Sequence, residues 1–147
     1  MIYRYKDLSL RYRIFFRLPY FFYNKLTAPL YGKKLIQITT IGRVSKKERK
    51  TLLEVIGHID DVPVVIAGFG ENSDWVLNLK KNPQAKVVWA NHNYTSDVEW
   101  LDQKSASHIL TKYKKHNPKL VKFYESLFKR SWDEFLELPV CMLSSIK

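Results

Sequence analysis

Between residues 35 and 101 the chain alternates short β-branched runs with breaks, and only one break is long enough to hold a helix. That pattern constrains the fold more than any other feature. Residues 35–41 (LIQITTI) read as a first strand, followed by a basic connection over residues 42–50. Residues 51–59 read as a second strand and Asp60-Asp61 as a hairpin turn. Residues 63–69 form a third, whose unbroken run Val64-Val65-Ile66-Ala67 implies burial on both faces. After Gly70-Glu71-Asn72, Ser73 reads as an N-cap, with Asp74 in the first turn and Trp75, Leu77 and Leu79 as apolar cover. Asn82-Pro83 stops that helix. Residues 85–90 and 94–101 alternate around Asn91-His92-Asn93 as a second hairpin. Amphipathic helices over residues 105–115 and 118–130 are split at Asn117-Pro118, and residues 139–144 give a closing strand. Strand runs with short turns, plus crossover helices, imply a small closed or partly closed barrel of the α+β class. At 147 residues the chain is a single domain over 1–147, with a lead segment (1–34) and a barrel (35–147).

The lead segment is basic and aromatic. Arg4, Lys6, Arg11, Arg13, Arg17, Lys25, Lys33 and Lys34 face a single acid, Asp7. Leu8, Tyr12, Phe15 and Phe16 recur at helical spacing, and Pro19 suits the start of a second short helix. Two readings stand side by side: a cap on the barrel, or a peripheral contact with an anionic membrane surface. The whole chain carries a formal charge of +11, which attracts phosphate-bearing ligands and other polyanions. No run of 18 apolar residues is present, and arginines interrupt every candidate signal-peptide core. A cytoplasmic location is therefore expected, with a peripheral position at the inner membrane face if the lead segment binds lipid. The one cysteine, Cys141, lies in an apolar stretch and reads as a buried small hydrophobe. His58, His92, His108 and His116 lack metal-ligand spacing, so no metal site is expected, and no hydrolase nucleophile elbow is present. Trp89, Tyr94 and Trp100 could stack bases, but no dense aromatic and basic alternation supports a nucleic-acid partner.

The connection after the first strand is the richest segment. Gly42 permits a turn where backbone N–H groups can converge on an anion. Arg43, Lys46, Lys47, Arg49 and Lys50 place five cations in eight residues against one acid, Glu48. Arginine gives bidentate contact to phosphate, and lysine adds a point charge.

Residues 35–83 read LIQITTIGRVSKKERKTLLEVIGHIDDVPVVIAGFGENSDWVLNLKKNP. This resembles the deazaflavin-dependent nitroreductase and quinone reductase family. That family's pattern runs Thr-Thr-x-Gly-Arg, a basic loop with an Arg, a hairpin, an Ala-Ser-Gly-type loop, Trp-x-x-Asn-Leu and Asn-Pro. Leu138-Pro139-Val140 is similar to its closing strand. The resemblance implies a split β-barrel of the FMN-binding type holding coenzyme F420, a deazaflavin phosphate with an anionic tail. It implies hydride transfer to a quinone, a nitro compound or another activated acceptor. It places Arg43, Ser45 and Arg49, with Lys46 and Lys50 beside them, at the phosphate and tail. Thr51 and Leu52 then lie beside the cofactor, and Ala67, Gly68, Phe69 and Gly70 flank the ring. Trp75, Val76, Leu77 and Asn78 take the Trp-x-x-Asn element, in which Trp75 reads first as a core anchor. Tyr113 and Tyr124 are candidates for acceptor binding. The chain departs from the pattern at Val44, Lys46, Glu48 and Phe69. Related split barrels bind FMN or haem, so FMN stands as the alternative cofactor, and both monomer and homodimer fit the fold.

Overall fold

The computed structural model describes residues 7–13 and 22–146. Seven strands make one antiparallel sheet: β1 (Leu35–Ile41), β2 (Glu48–Glu54), β3 (Gly57–Ile59), β4 (Val62–Ile66), β5 (Gln84–Trp89), β6 (His92–Trp100) and β7 (Val140–Ser145). Their order is β2-β1-β5-β6-β7-β4-β3. The two edge strands are consecutive in sequence, with only Val55-Ile56 between them, so the sheet must curl until its edges meet. Backbone bonds mark this seam. The Val55 N–H donates to the Lys34 carbonyl at 2.8 Å, while the Ile56 N–H donates to the Val64 carbonyl at 2.9 Å. Adjacent peptides thus bond to opposite ends of the strand order. The result is the expected α+β split barrel.

The single strand expected over residues 51–59 is divided at this seam. Successive side chains of a strand point to opposite faces, and here the two faces meet different cores. Val55 enters the barrel interior with Ile36, Ile38, Val65 and Leu143. Ile56 enters an outer core with Val64, Ile109, Leu110 and Phe135.

Asp60 and Asp61 form the expected hairpin turn, with φ of 50° and 65°, the left-handed pair that suits a two-residue loop. The second hairpin turns earlier than expected. Trp89 pairs with His92, so the loop is Ala90-Asn91, and Ala90 takes φ 50°. Trp89 is anchored there because its indole N–H donates to the Lys33 carbonyl at 3.0 Å. The third strand also stops short, at Ile66. The Ala67 N–H bonds to the Pro139 carbonyl, and the Gly70 N–H folds back to the Ala67 carbonyl, each at 2.9 Å.

Among the described residues after β4 there are four helices: α1 (Asp74–Lys81), α2 (Gln103–His116), α3 (Pro118–Phe128) and α4 (Trp132–Phe135). α1 stops before Pro83 as expected. α2 begins earlier than its apolar spacing suggests because the Asp102 carboxylate caps it, accepting from the Ser105 N–H at 2.7 Å. α3 ends at Phe128, where Lys129 adopts a left-handed φ of 52°. The short α4 has no counterpart in the sequence reading; Ser131 caps it and Trp132 and Phe135 bury its apolar side.

In the lead segment Leu8 is 3% exposed in the outer core, whereas Tyr12 is 42% exposed, so the two do not share a buried face. Phe15, Phe16 and Pro19 lie outside the described residues. Tyr23 fastens the segment to the sheet: its hydroxyl lies 3.1 Å from both the Leu35 and Val88 carbonyls, and burial pushes its pKa up to about 12. Cys141 is fully buried, as expected, and its thiol is pushed up to about 12. Among the described residues no helix is long and apolar enough to cross a membrane.

Ile56 fills the outer core at the seam, so Ile56→Ala is expected to cost about 2–5 kcal/mol in urea denaturation with an unchanged m-value. A loss below about 0.5 kcal/mol, the range of surface changes, would contradict its role at the seam.

Candidate functional site

The cation turn is tightly built. The Lys46 N–H donates to the Gly42 carbonyl at 2.9 Å and the Gly42 N–H to the Lys47 carbonyl at 2.8 Å, with Lys46 left-handed at φ 61°. Gly42 is required by space, since a Cβ there would stand 2.5 Å from the Ser45 hydroxyl. Ser45 in turn accepts from the Lys47 N–H at 3.3 Å and from the Arg49 guanidinium at 3.4 Å.

Asn78 connects this turn to α1. Its Oδ1 accepts from the Arg43 N–H and from Arg43 Nη1, both at 3.1 Å, and its Nδ2 donates to Thr40 Oγ1 at 3.2 Å. Thr40 sits opposite Arg49 in the β1–β2 register, and its hydroxyl reaches the Arg49 carbonyl at 3.5 Å. One buried amide therefore fixes both arginine-bearing ends of the turn. Arg43 also pairs with Asp74 at 3.2 Å, but the Asp74 side chain is 88% exposed. Such a solvated pair contributes little and gives way readily to a better anion.

The other end of α1 is tied to the segment over residues 67–70. Ser73 does not accept from the helix; its hydroxyl donates to the Gly70 carbonyl at 2.8 Å. Ala67 is buried, Gly68 would clash with Phe128 at 2.9 Å if it carried a Cβ, and Phe69 packs edge-on to Phe128 at 4.7 Å. Trp75 is buried in the barrel core, stacked on Trp100 at 6.1 Å. Val76 is fully buried. Both residues anchor α1. Thr51 and Leu52 lie half-buried on β2, where Leu52 packs toward Tyr23, Ala28 and Val88. Hydrogen bonds thus link the turn over residues 43–50 to α1 through Asn78, and the start of α1 to residues 67–70 through Ser73.

Charge at the turn is less balanced than the sequence suggests. Glu48, the acid within the run, is paired with Lys86 across the sheet, and that hydrogen bond lowers its pKa. The cations of the turn are accordingly left facing solvent: Lys46, Lys47, Arg49 and Lys50 are all exposed. Exposed cations beside a glycine-lined loop fit an anionic, flat cofactor. A separate open groove of about 470 Å³, lined by Trp100, Leu101, Gln103, Leu136 and Leu138, includes none of these residues.

Tyr113 and Tyr124 are brought together, but around a residue that the sequence reading missed. The Tyr113 hydroxyl donates to Glu54 Oε1 at 2.8 Å, and the Tyr124 hydroxyl donates to Glu54 Oε2. Desolvation raises the Glu54 pKa, against the lowering pull of the two phenols. Both tyrosines are pushed far above their ordinary value, first by burial and then by the carboxylate. An acid inside the apolar run Leu52-Leu53-Glu54-Val55-Ile56 is the signal that could have revealed it. Tyr124 also packs against Phe128 at 5.9 Å, one ring away from Phe69. Among the described residues no group of three His, Cys, Asp or Glu side chains is arranged to hold a metal ion.

A family model described as F420H(2)-dependent quinone reductase matches residues 14–126. Among solved structures, the chain is similar to an F420-H2 dependent reductase (FDR-A) at 19% identity and TM-score 0.57, covering 77% of this chain and 96% of that one. It is similar to a pyridoxamine 5'-phosphate oxidase-related, FMN-binding protein from Nostoc punctiforme at 11% identity and TM-score 0.57, covering 83% and 76%. It is also similar to HutZ, the haem storage protein from Vibrio cholerae, at 10% identity and TM-score 0.56, covering 84% and 89%. At these identities the solved structures establish the split-barrel fold alone. No curated protein matches.

Two expected outcomes follow from the polar links. Asn78→Leu strands the Arg43 N–H and removes the donor to the Thr40 hydroxyl, and should cost about 1–3 kcal/mol in urea denaturation; unchanged stability would contradict the bridging role. For Glu54 the folded pKa lies above the unfolded one, so its contribution is fully present below the ordinary carboxylate value of 4.5 and declines as pH rises through the raised pKa. Wild-type stability should therefore fall relative to Glu54→Gln as pH rises above the ordinary carboxylate range. A difference that stays constant with pH would contradict the assignment.

Proposed function

The chain belongs to the F420H(2)-dependent quinone reductase family, whose model matches it over residues 14–126, and on that premise we propose that its joined surface binds reduced F420 and serves hydride transfer to a quinone, nitro or similarly activated acceptor. The observation that carries the reading is the Asn78 bridge. It holds the cation turn against α1, which lies some thirty residues further along the chain, and Ser73 ties the start of α1 back to the 67–70 loop just before it.

When bound, the cofactor supplies the hydride, and the protein supplies binding, orientation and electrostatics. Arg49, Lys46 and Lys50 take the phosphate and anionic tail, with Ser45 orienting the Arg49 guanidinium. Arg43 joins them by exchanging its solvated Asp74 partner for phosphate while Asn78 keeps its backbone in place. The backbone of Ala67, Gly68 and Gly70 lies along the ring, and the β2 backbone at Thr51 and Leu52 lines the approach. Trp75, Val76 and Leu77 set the position of α1. Phe69, backed by Phe128 and Tyr124, forms an aromatic wall suited to a flat, hydrophobic acceptor. The hydroxyls of Tyr113 and Tyr124 are held by Glu54, so the acceptor meets their rings rather than free phenols.

Charge-assisted contacts to phosphate contribute about 1.5–3 kcal/mol each. The double variant Lys46→Ala and Arg49→Ala should bind F420 about a hundredfold more weakly by fluorescence titration, with a shallower dependence on salt. Undiminished affinity would remove the proposed tail site, and tighter binding of FMN than of F420 by the wild type would reassign the cofactor.

A further inference from the structure

The most economical unexplained group in the molecule is the side chain of Arg130. Its Nε is buried and has no hydrogen-bond partner, and among the described residues it forms no ion pair. A buried donor left unpaired is costly, and a native structure rarely keeps one without a use for it.

The local backbone aims this cation. Lys129 terminates α3 in the left-handed region, and the Arg130 N–H returns to the Glu125 carbonyl at 3.2 Å. This is the six-to-one bond of a Schellman turn, in which glycine ordinarily takes the left-handed position. A lysine there carries backbone strain, and the turn leaves Arg130 against the 67–70 loop. The packing agrees: Gly68 and Phe69 both lie on the Phe128 ring, two residues before Arg130. Gly70 is itself left-handed, at φ 92°, and a Cβ built on it would stand 3.8 Å from Arg130 Nη2. The glycine therefore leaves its open side to the guanidinium, within the loop that the proposed function sets along the ring.

We propose that Arg130 is a cofactor-contacting cation that engages the ring rather than the tail. The guanidinium fork suits two adjacent acceptors in one plane, and the pyrimidinedione edge of a deazaflavin presents such a pair. The inference rests on the proposed cofactor reading. It adds a second, separate anchor: the turn at residues 43–50 holds the phosphate end, and Arg130 holds the ring end. The cation lies outside the family-matched residues, 14–126.

Fluorescence titration with two probes separates the ends. One is F420; the other is the deazaflavin riboside that lacks phosphate and tail. Arg130→Met should weaken both ligands by the same factor, about tenfold for one charge-assisted contact. Arg130→Lys, which keeps the charge and loses the fork, should fall between it and wild type. The Lys46→Ala and Arg49→Ala variant should weaken F420 and leave the riboside unchanged. Thermal melts of each variant check that the fold persists, and Arg130→Lys serves if Arg130→Met does not fold. Wild-type affinity of the Arg130 variants for the riboside would overturn the assignment while leaving the cofactor site standing. Weakening confined to F420 would place Arg130 on the tail and overturn it equally. Wild-type protein that binds neither probe would overturn the cofactor reading, and this inference with it.

Discussion

The peptide between Val55 and Ile56 is the joint on which the barrel turns. A seven-stranded sheet with β2 at one edge and β3 at the other could lie open, but two residues cannot span an open sheet of that width. The chain solves the problem by sending one N–H to each side: Val55 to the strand order's β1 end, Ile56 to its β4 end. Burial reinforces the choice, since the two side chains enter different cores. Glu54, immediately before the joint, is gripped by one tyrosine from α2 and one from α3, so the helical layer is locked to the sheet at the point where the sheet closes.

The site inherits its shape from that closure. With the edges joined, the turn after β1, the loop after β4 and the start of α1 come to lie together. Asn78 then converts proximity into a fixed geometry, because its single buried amide serves a backbone donor, a guanidinium and a hydroxyl at once. Charge follows the same logic. Lys86 on β5 draws off Glu48 across β1, leaving the exposed cations of the turn to define an electropositive rim. The end of α3 meets the loop from the other side through Phe128, which packs on Phe69 and Gly68, while the Arg130 guanidinium lies beside Gly70.

Much of this was legible from the sequence. The β-branched runs, the Asp60-Asp61 turn, the stop at Asn82-Pro83 and the helix break at Asn117-Pro118 each have a local cause and appear where that cause puts them. The basic turn was legible for the same reason, as Gly42 and its cations sit within a few residues of one another. What escaped depends on distant contacts. Nothing in the unbroken run Thr51 to Ile56 announces that the chain changes partners at Val55. The Ala90-Asn91 loop is set by the anchoring of Trp89 to Lys33, not by the more turn-prone Asn93. Glu54 became visible as a site residue only when two helices delivered their tyrosines to it. Arg130 looked like the end of an amphipathic helix, and only the Lys129 turn places it against Gly70.

The central claim is that the cation turn after β1 and the loop and helix that follow β4 act as one cofactor surface on this barrel. Backbone amide chemical-shift mapping during addition of F420 tests it most directly. The account predicts perturbations concentrated at residues 43–52, 67–70 and 75–78, with the groove around Trp100 and Leu138 unaffected. Perturbations centred on that groove, or none at ligand saturation, would contradict it.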